Sequence, residues 1–443
     1  MNPYFIVGYI VLVLAIGYLS SRKQSGSDFM IAERKLSLPT FVSTTVATFF
    51  GSGALVAYTA YVYEFGIGML SVLVGLAIGY IVFGFAAKKI HKMGREHNFH
   101  TIADYFHYHF KGKVGHVIAV IIGLILITQV LNQMIAGTQI LSAVTTYGYE
   151  FSLLISSGVI LFYLILGGFR SVVRTDVFQY LVMIFLIFVI GGSMASETSL
   201  SFSEISENTT SVSLIIAGAV YGFLFIWYSA DLWQRIYAAK DIKTVRVGMG
   251  IAAVFLLAMG LGITLIASST RAFFPDIDPA QALVFGIQNL LSPTFVSLGV
   301  IMLFAAIMSS ADTLIFVLAS SFSKDGVAQF KGRKLNNNEL RFYTRISLIG
   351  ITLCAAFLAY FFRSVIDVTL VNAGLGMAIT PAIVGSLKWK LNPYALTGSI
   401  IFGIIYVIAW IIVGNITPQT MVSTIMISAA FLLISQKVFK YFK

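Results

Sequence analysis

The chain is written as long apolar runs separated by short polar ones. About thirteen of these runs reach the roughly 20 residues that an α-helix needs to cross the hydrocarbon of a bilayer. They fall near 4–20, 38–60, 66–87, 117–145, 150–168, 172–193, 212–238, 247–270, 294–323, 341–362, 365–387, 394–414 and 418–437. The interruptions are short and hold no soluble domain; 88–116 is the longest, and 324–340 is a further extended loop. The pattern predicts an all-α polytopic membrane protein, a single membrane domain over 1–443. The first run has no basic stretch before it and no small-residue cleavage site after it, so it is expected to be a retained helix and not a signal peptide.

Composition agrees: 58 % of residues are hydrophobic and the mean hydropathy is +0.90. The formal net charge of +11 would suggest a nucleic-acid partner in a soluble chain. Sorted by loop, the charges say otherwise, and no nucleic acid is expected. Arg22, Lys23, Arg34, Lys35, Lys88, Lys89, Lys92, Arg95, Lys111, Lys113, Arg170 and Arg174 fall in alternate loops. Arg235, Lys240, Lys243, Arg246, Lys324, Lys331, Arg333, Lys334, Arg341, Arg345, Lys388, Lys390, Lys437, Lys440 and Lys443 continue the same set. Only Arg271 and Arg363 fall in the other set, so 27 of 29 basic residues lie on one side. The positive-inside rule then places the N-terminus outside and the C-terminus in the cytoplasm of a plasma membrane, a bacterial inner membrane by expectation. The acidic outer loop with Glu197, Glu204 and Glu207 agrees. The one cysteine, Cys354, lies inside a run, so no internal disulfide can form.

All six histidines lie in one cytoplasmic loop: His91, His97, His100, His107, His109 and His116. Thr101 and Asp104 have capping-box spacing ahead of a short aromatic helix expected in the membrane interface. A metal or pH site and a plain interfacial helix with solvated histidines are both open, although no strong metal-ligand spacing is present.

Ionisable groups inside an apolar run are costly and mark function by default. Ser309, Asp312 and Thr313 stand at i, i+3 and i+4, one helix face, with Ser310 beside it. These are hard oxygen ligands, suited to a small hard cation. An interhelical hydrogen-bond cluster is the plainer reading. Asp176 lies near a run's cytoplasmic start. Asp231 stands four residues before Arg235, a spacing that favours a local ion pair. Asp367 lies near a membrane boundary, where a solvated or capping role is expected. In the second run, Gly51-Ser52-Gly53 is poor helix sequence; a break there would expose backbone groups that must line a cavity or bind something. A close small-residue helix contact is the alternative.

Four stretches resemble the solute:sodium symporter family, whose members carry proline, pantothenate, glucose, sialic acid, iodide or choline. They are "ATFFGSGALVAYTAYVYEFGIG" at 47–68, "GGFRSVVRTDVFQ" at 167–179, "LWQRIYAAKD" at 232–241 and "AAIMSSADTLIFVLASSFSKD" at 305–325. The resemblance implies a leucine-transporter-type core of two inverted five-helix repeats, over 38–193 and 212–387, with an extra N-terminal helix (4–20) and C-terminal helices (394–437). It implies a common sodium site on the carbonyls of Ala47, Phe50 and Ala306 and the hydroxyls of Ser309 and Ser310. It also implies a possible second sodium site on Asp176, facing Ser309, Asp312 and Thr313, with Arg174 as a candidate partner for Asp176. Where many members have Gly-x-Pro-Gly after the first break, this chain has Ala57-Tyr58-Thr59-Ala60. The matching break in 212–238 is expected near Gly222 or Ser229.

The solute pocket is expected at the midplane between the repeats. Its candidate lining is Phe49, Ser52, Gly53, Gln129, Asn132, Gln133, Tyr221, Phe225, Trp227 and Tyr228, with Asn372 as a further candidate. Gln129 and Asn132 could instead only join helices, and the aromatics could cage a quaternary ammonium. The expected function is sodium-coupled import of a small polar organic solute by a monomer in a lipid bilayer. A proton-coupled carrier using Asp312 and Asp176 as a relay is the alternative; so is a transporter-fold sensor, which the lack of a signalling domain after Lys443 disfavours. No enzymatic nucleophile, metal or phosphate motif is found.

Overall fold

A computed structural model of the chain describes residues 3–21, 34–110, 113–145, 147–166, 169–197, 210–333 and 335–441. Gly167, Gly168, Glu204, Glu207 and the basic residues Arg22, Lys23, Lys111, Lys334 and Lys443 lie outside the described residues. The helices that matter here are α1 (Pro3–Ser21), α2 (Leu38–Phe49), α3 (Tyr58–Phe65), α4 (Leu70–Glu96), α5 (Ile102–His109) and α6 (Lys113–Val144). They continue as α7 (Tyr149–Leu166), α8 (Phe169–Glu197), α9 (Val212–Tyr228), α10 (Ala230–Ala238) and α11 (Ile242–Phe273). The last are α12 (Ala282–Leu290), α13 (Pro293–Ser321), α14 (Asn337–Phe361), α15 (Val365–Lys388), α16 (Pro393–Val413) and α17 (Pro418–Tyr441). Every predicted apolar run is occupied by helix. Among the described residues nine helices are long and apolar enough to span a membrane, or up to eleven if each bent pair is one span. The other two predicted runs are α1 and α7.

Two spans are broken. Leu38–Phe49 and Gly53–Phe65 meet at 61°, and Val212–Tyr228 and Ala230–Ala238 meet at 48°. Each broken span opens a run of five: α2/α3, α4, α6, α7 and α8, then α9/α10, α11, α13, α14 and α15. The first break follows from Gly51-Ser52-Gly53; the chain resumes as a π-helical turn over Gly53–Ala57. The second falls at Ser229, which is extended (φ −69°, ψ 94°).

Gly222, the other candidate for that break, lies inside an intact helix. A Cβ there would strike the backbone of Val72 and Leu76, and one at Gly75 would strike the Ala219 carbonyl. Gly218 and Gly222 thus face Gly75 and Gly79 across a backbone-close contact between α9 and α4, the geometry that small residues at i, i+4 allow in membranes. A short parallel bridge between Leu36 and Ala239 ties the two broken spans together at one end. Arg34 and Arg95 reinforce it: Arg34 donates to the Tyr237 carbonyl at 3.0 Å and Arg95 to the Ala239 carbonyl at 2.8 Å.

The loop helix α5 has the expected capping box on Thr101 and Asp104. One face of it is packed on the protein, while His109 stays exposed. Tyr105 and Phe106 are fully buried, and Asp104 pairs with Lys324 at 2.6 Å, so α5 is docked on the protein. Burial pushes the Asp104 carboxyl up, but the Lys324 ammonium and the backbone donors of His100 and Thr101 outweigh it and hold it below the carboxylate range. Burial, aided by Lys324, pushes His100 down, so that it stays neutral. Among the described residues no three His, Cys, Asp or Glu side chains gather as a metal site.

Candidate functional site

The site forms where the first break meets α13. The last carbonyls of a helix end lack intrahelical donors and need outside partners. Ser310 supplies one, donating to the Thr48 carbonyl at 2.7 Å while lying 3.2 Å from the Ala306 carbonyl of its own helix. Gly51 permits this approach: a Cβ there would lie 2.5 Å from Ser310 Oγ and 2.6 Å from Gln133 Nε2. On the other side of the break the Ser52 amide donates to Gln133 Oε1 at 2.9 Å. Ala47, Phe50, Ala306, Ser309 and Ser310 are all buried. Oxygen ligands of this kind suit a small hard cation.

One turn away lies a buried ionic network. Asp176 of α8 is fully buried and accepts from Ser309 Oγ at 2.5 Å and from Thr44. Its basic partner is Arg235 of α10, at 3.5 Å. Arg174, the expected partner, has an exposed side chain; on a helix, residues i and i+2 point to different sides. Arg235 also donates to Asp231 at 2.8 Å, the local pair its spacing predicted, and to Thr44, Thr48 and Thr313. Thr313 further accepts from Thr48 at 3.3 Å. Asp312 is fully buried one turn beyond Ser309. One guanidinium is therefore shared between two carboxylates on two different helices.

Beside the network opens a cavity of about 150 Å³ between α2/α3, α4, α6, α9 and α15. Of the sequence candidates, Phe49, Ser52, Gly53, Gln129, Asn132, Gln133, Tyr221, Phe225 and Asn372 line it. Trp227 and Tyr228 do not. Trp227 packs edge-on to Phe83 at 4.9 Å, and the Tyr228 ring fills the space over Gly376 of α15. Asn372 is spent on joining helices, donating to the Ile125 carbonyl at 3.0 Å and Thr128 at 2.8 Å. Gln129 Oε1, Asn132 Oδ1 and Ser52 Oγ are buried with no protein partner, so each has hydrogen-bonding capacity open to a water or a ligand. Tyr58, Tyr61, Tyr80, Thr369 and Asp231 also face the cavity, and the sequence reading did not include them. Their signal was present for Tyr58 and Tyr61, which lie one helical turn apart just after the break.

Comparison with known proteins bears on the family and the fold. The chain matches the sodium:solute symporter family over residues 29–403. It is 24 % identical over 432 residues to the sodium/pantothenate symporter of Haemophilus influenzae, covering 90 % of this chain and 88 % of that protein. It is 25 % identical over 433 residues to the osmoregulated proline transporter OpuE of Bacillus subtilis, covering 92 % and 88 %. Among solved structures, a Na⁺-coupled sialic acid symporter in a substrate-bound outward-open state superposes with a TM-score of 0.83 at 14 % identity, covering 98 % of this chain and 96 % of that one. MhsT with bound L-phenylalanine gives 0.57 at 12 % identity, covering 89 % and 97 %. The fold is of the leucine-transporter type. With the family matched over most of its length, the chain belongs to the sodium:solute symporter family and is a sodium-coupled carrier of small solutes, not an enzyme.

Proposed function

We propose that the chain imports a small polar organic solute with sodium by alternating access, working as a monomer in a bacterial inner membrane with its C-terminus in the cytoplasm. The observation that carries this is the break at Phe50–Ser52, held against Ser310 and opening directly onto the cavity. Sodium is assigned to the carbonyls of Ala47, Phe50 and Ala306 and the hydroxyls of Ser309 and Ser310. A second sodium is assigned to the region of Asp176, Asp312 and Thr313. The solute sits against Phe49, Ser52, Gln129, Asn132, Gln133, Tyr221 and Phe225.

The physical logic is short. Sodium at the break neutralises partial negative charge on orphaned carbonyls and fixes the angle between α2 and the π-helical turn. That angle sets the cavity wall, so sodium and solute favour the same arrangement. The two runs of five, each an odd number of crossings, enter the membrane from opposite sides and give two related ways to close. The membrane potential assists by about 2.3 kcal/mol per charge per 100 mV.

Ser310→Ala is expected to raise the sodium concentration needed for half-maximal uptake, or for half-maximal thermal stabilisation in detergent, by at least severalfold. An unchanged sodium dependence would remove Ser310 from the site. The fully buried Asp312 favours one competing reading, a proton relay. Thermal unfolding in sodium chloride and in potassium chloride at equal ionic strength separates the two. A sodium-specific rise in midpoint reports a cation bound to the folded state, whereas a shift that follows pH alone supports the relay.

A further inference from the structure

Asp231 has a position that an ion-pair role alone does not explain. It is the one charged residue among the described residues that line the cavity, set just past the break at Ser229. Its side chain is 15 % exposed, against 0 % for Asp176. No lysine, arginine or histidine is on that wall. A carboxylate can accept about four hydrogen bonds; Ser229 Oγ at 2.5 Å and Arg235 Nη1 at 2.8 Å supply two. Arg235 is also engaged with Asp176, so one positive charge is divided between two carboxylates and the wall stays electronegative. Gln129 Oε1 and Asn132 Oδ1, which also line the cavity, have no protein donor. The Phe225 ring lies 5.8 Å from Phe49 and 5.9 Å from Tyr221, which adds a cluster of electron-rich faces. Apart from the sodium assigned at the break, a solute carboxylate would meet no cation here, since no basic side chain lines the cavity; a solute cation would meet a carboxylate, amide oxygens and ring faces, which attract it.

Resting on the symporter reading above, we propose that Asp231 recognises a positively charged nitrogen on the solute, and that the transported solute is therefore an amine or quaternary ammonium compound. The nitrogen sits between Asp231 and the Phe49–Phe225–Tyr221 rings, with the rest of the solute toward Gln129 and Asn132.

The test uses full-length protein in sodium-containing proteoliposomes and matched probes. Choline is compared with its neutral isostere 3,3-dimethylbutanol, and L-proline with cyclopentanecarboxylate; pantothenate is the carboxylate without an amine. At least one nitrogen-charged probe is expected to bind in a sodium-dependent way, roughly tenfold or more tighter than its partner without the charged nitrogen. Asp231→Asn is expected to collapse that preference toward parity, whereas a merely structural role would lower stability and leave the ratio intact. Equal binding of both members of each pair, binding of pantothenate alone, failure of every charged probe, or a preference retained in Asp231→Asn overturns the proposal. If Asp231→Asn does not fold, the wild-type ratios decide. Sodium-driven uptake of pantothenate alone would leave the symport reading standing, while the absence of any sodium response would overturn that reading itself.

Discussion

At the scale of single residues, the outcome turns on Arg235. It is fully buried, and both Asp176 and Asp231 depend on it for charge balance. Removing one member of a buried ionic group leaves the others uncompensated, at a cost of about 3–5 kcal/mol. Arg235→Ala is therefore expected to lower the thermal midpoint in detergent sharply. Arg235→Lys restores the charge without the planar fork that reaches Thr44, Thr48 and both carboxylates, so it recovers only part of the loss. Recovery equal to wild type would mean that the fork geometry is irrelevant. The sequence made the Asp231–Arg235 pair legible, because i, i+4 is a local relation. The Asp176–Arg235 pair was not, because it joins α8 to α10 through tertiary packing; the nearest arginine in sequence, Arg174, was the natural and mistaken choice. The Ser-Ser-x-Asp-Thr face was legible for the same reason as the local pair. Which aromatics reach the cavity was not: Tyr221 and Phe225 do, while Trp227 and Tyr228 are claimed by Phe83 and Gly376.

At the scale of elements, glycine explains both what was legible and what was missed. Gly51-Ser52-Gly53 was read as a break and is one. Gly222 was read as a possible break and is a packing contact, since a glycine both weakens a helix and lets another backbone approach. The matched spacing Gly75/Gly79 and Gly218/Gly222 was the signal that decides between these. It predicts a specific contrast. At Gly222 a methyl would strike the backbone of α4, which cannot swing aside; at Gly350 of α14 nothing lies within 4 Å. Gly222→Ala should destabilise by about 1–3 kcal/mol through overpacking. Gly350→Ala should be neutral or stabilising by up to about 1 kcal/mol through helix propensity. Unfolding midpoints of the two variants check this, and equal effects would mean that the α4–α9 contact is looser than its geometry implies. Because α4 and α9 are locked this closely, and the broken spans are joined at Leu36 and Ala239, these helices are expected to move as one body against α6, α7, α13 and α14.

At the scale of the whole molecule, the all-helical membrane fold was legible because the bilayer demands long apolar helices and leaves no other way to satisfy the backbone; of the roughly thirteen expected spans, nine to eleven are long and apolar enough among the described residues. Orientation follows from a different force. The bias of basic residues toward the cytoplasmic side is expected to set it: 27 of 29 were assigned by sequence to one set of loops, although one of these, Arg235, is buried in the ionic network and not in a loop. Moving the turn between α16 and α17 to that face would require carrying the basic loops across. Two positions at opposite ends of α16 test this. In a Cys354→Ala background, needed because Cys354 is exposed, Asn415→Cys should react with a membrane-impermeant maleimide in intact cells. Lys390→Cys should react only after permeabilisation. The reverse pattern would turn the carrier over in the membrane. Net transport would still follow the sodium gradient, but every assignment of an outer and inner gate would exchange sides. Labelling of both positions in intact cells would instead mean that α16 does not cross the membrane, which would remove one of the thirteen spans and break the charge segregation on which the orientation rests.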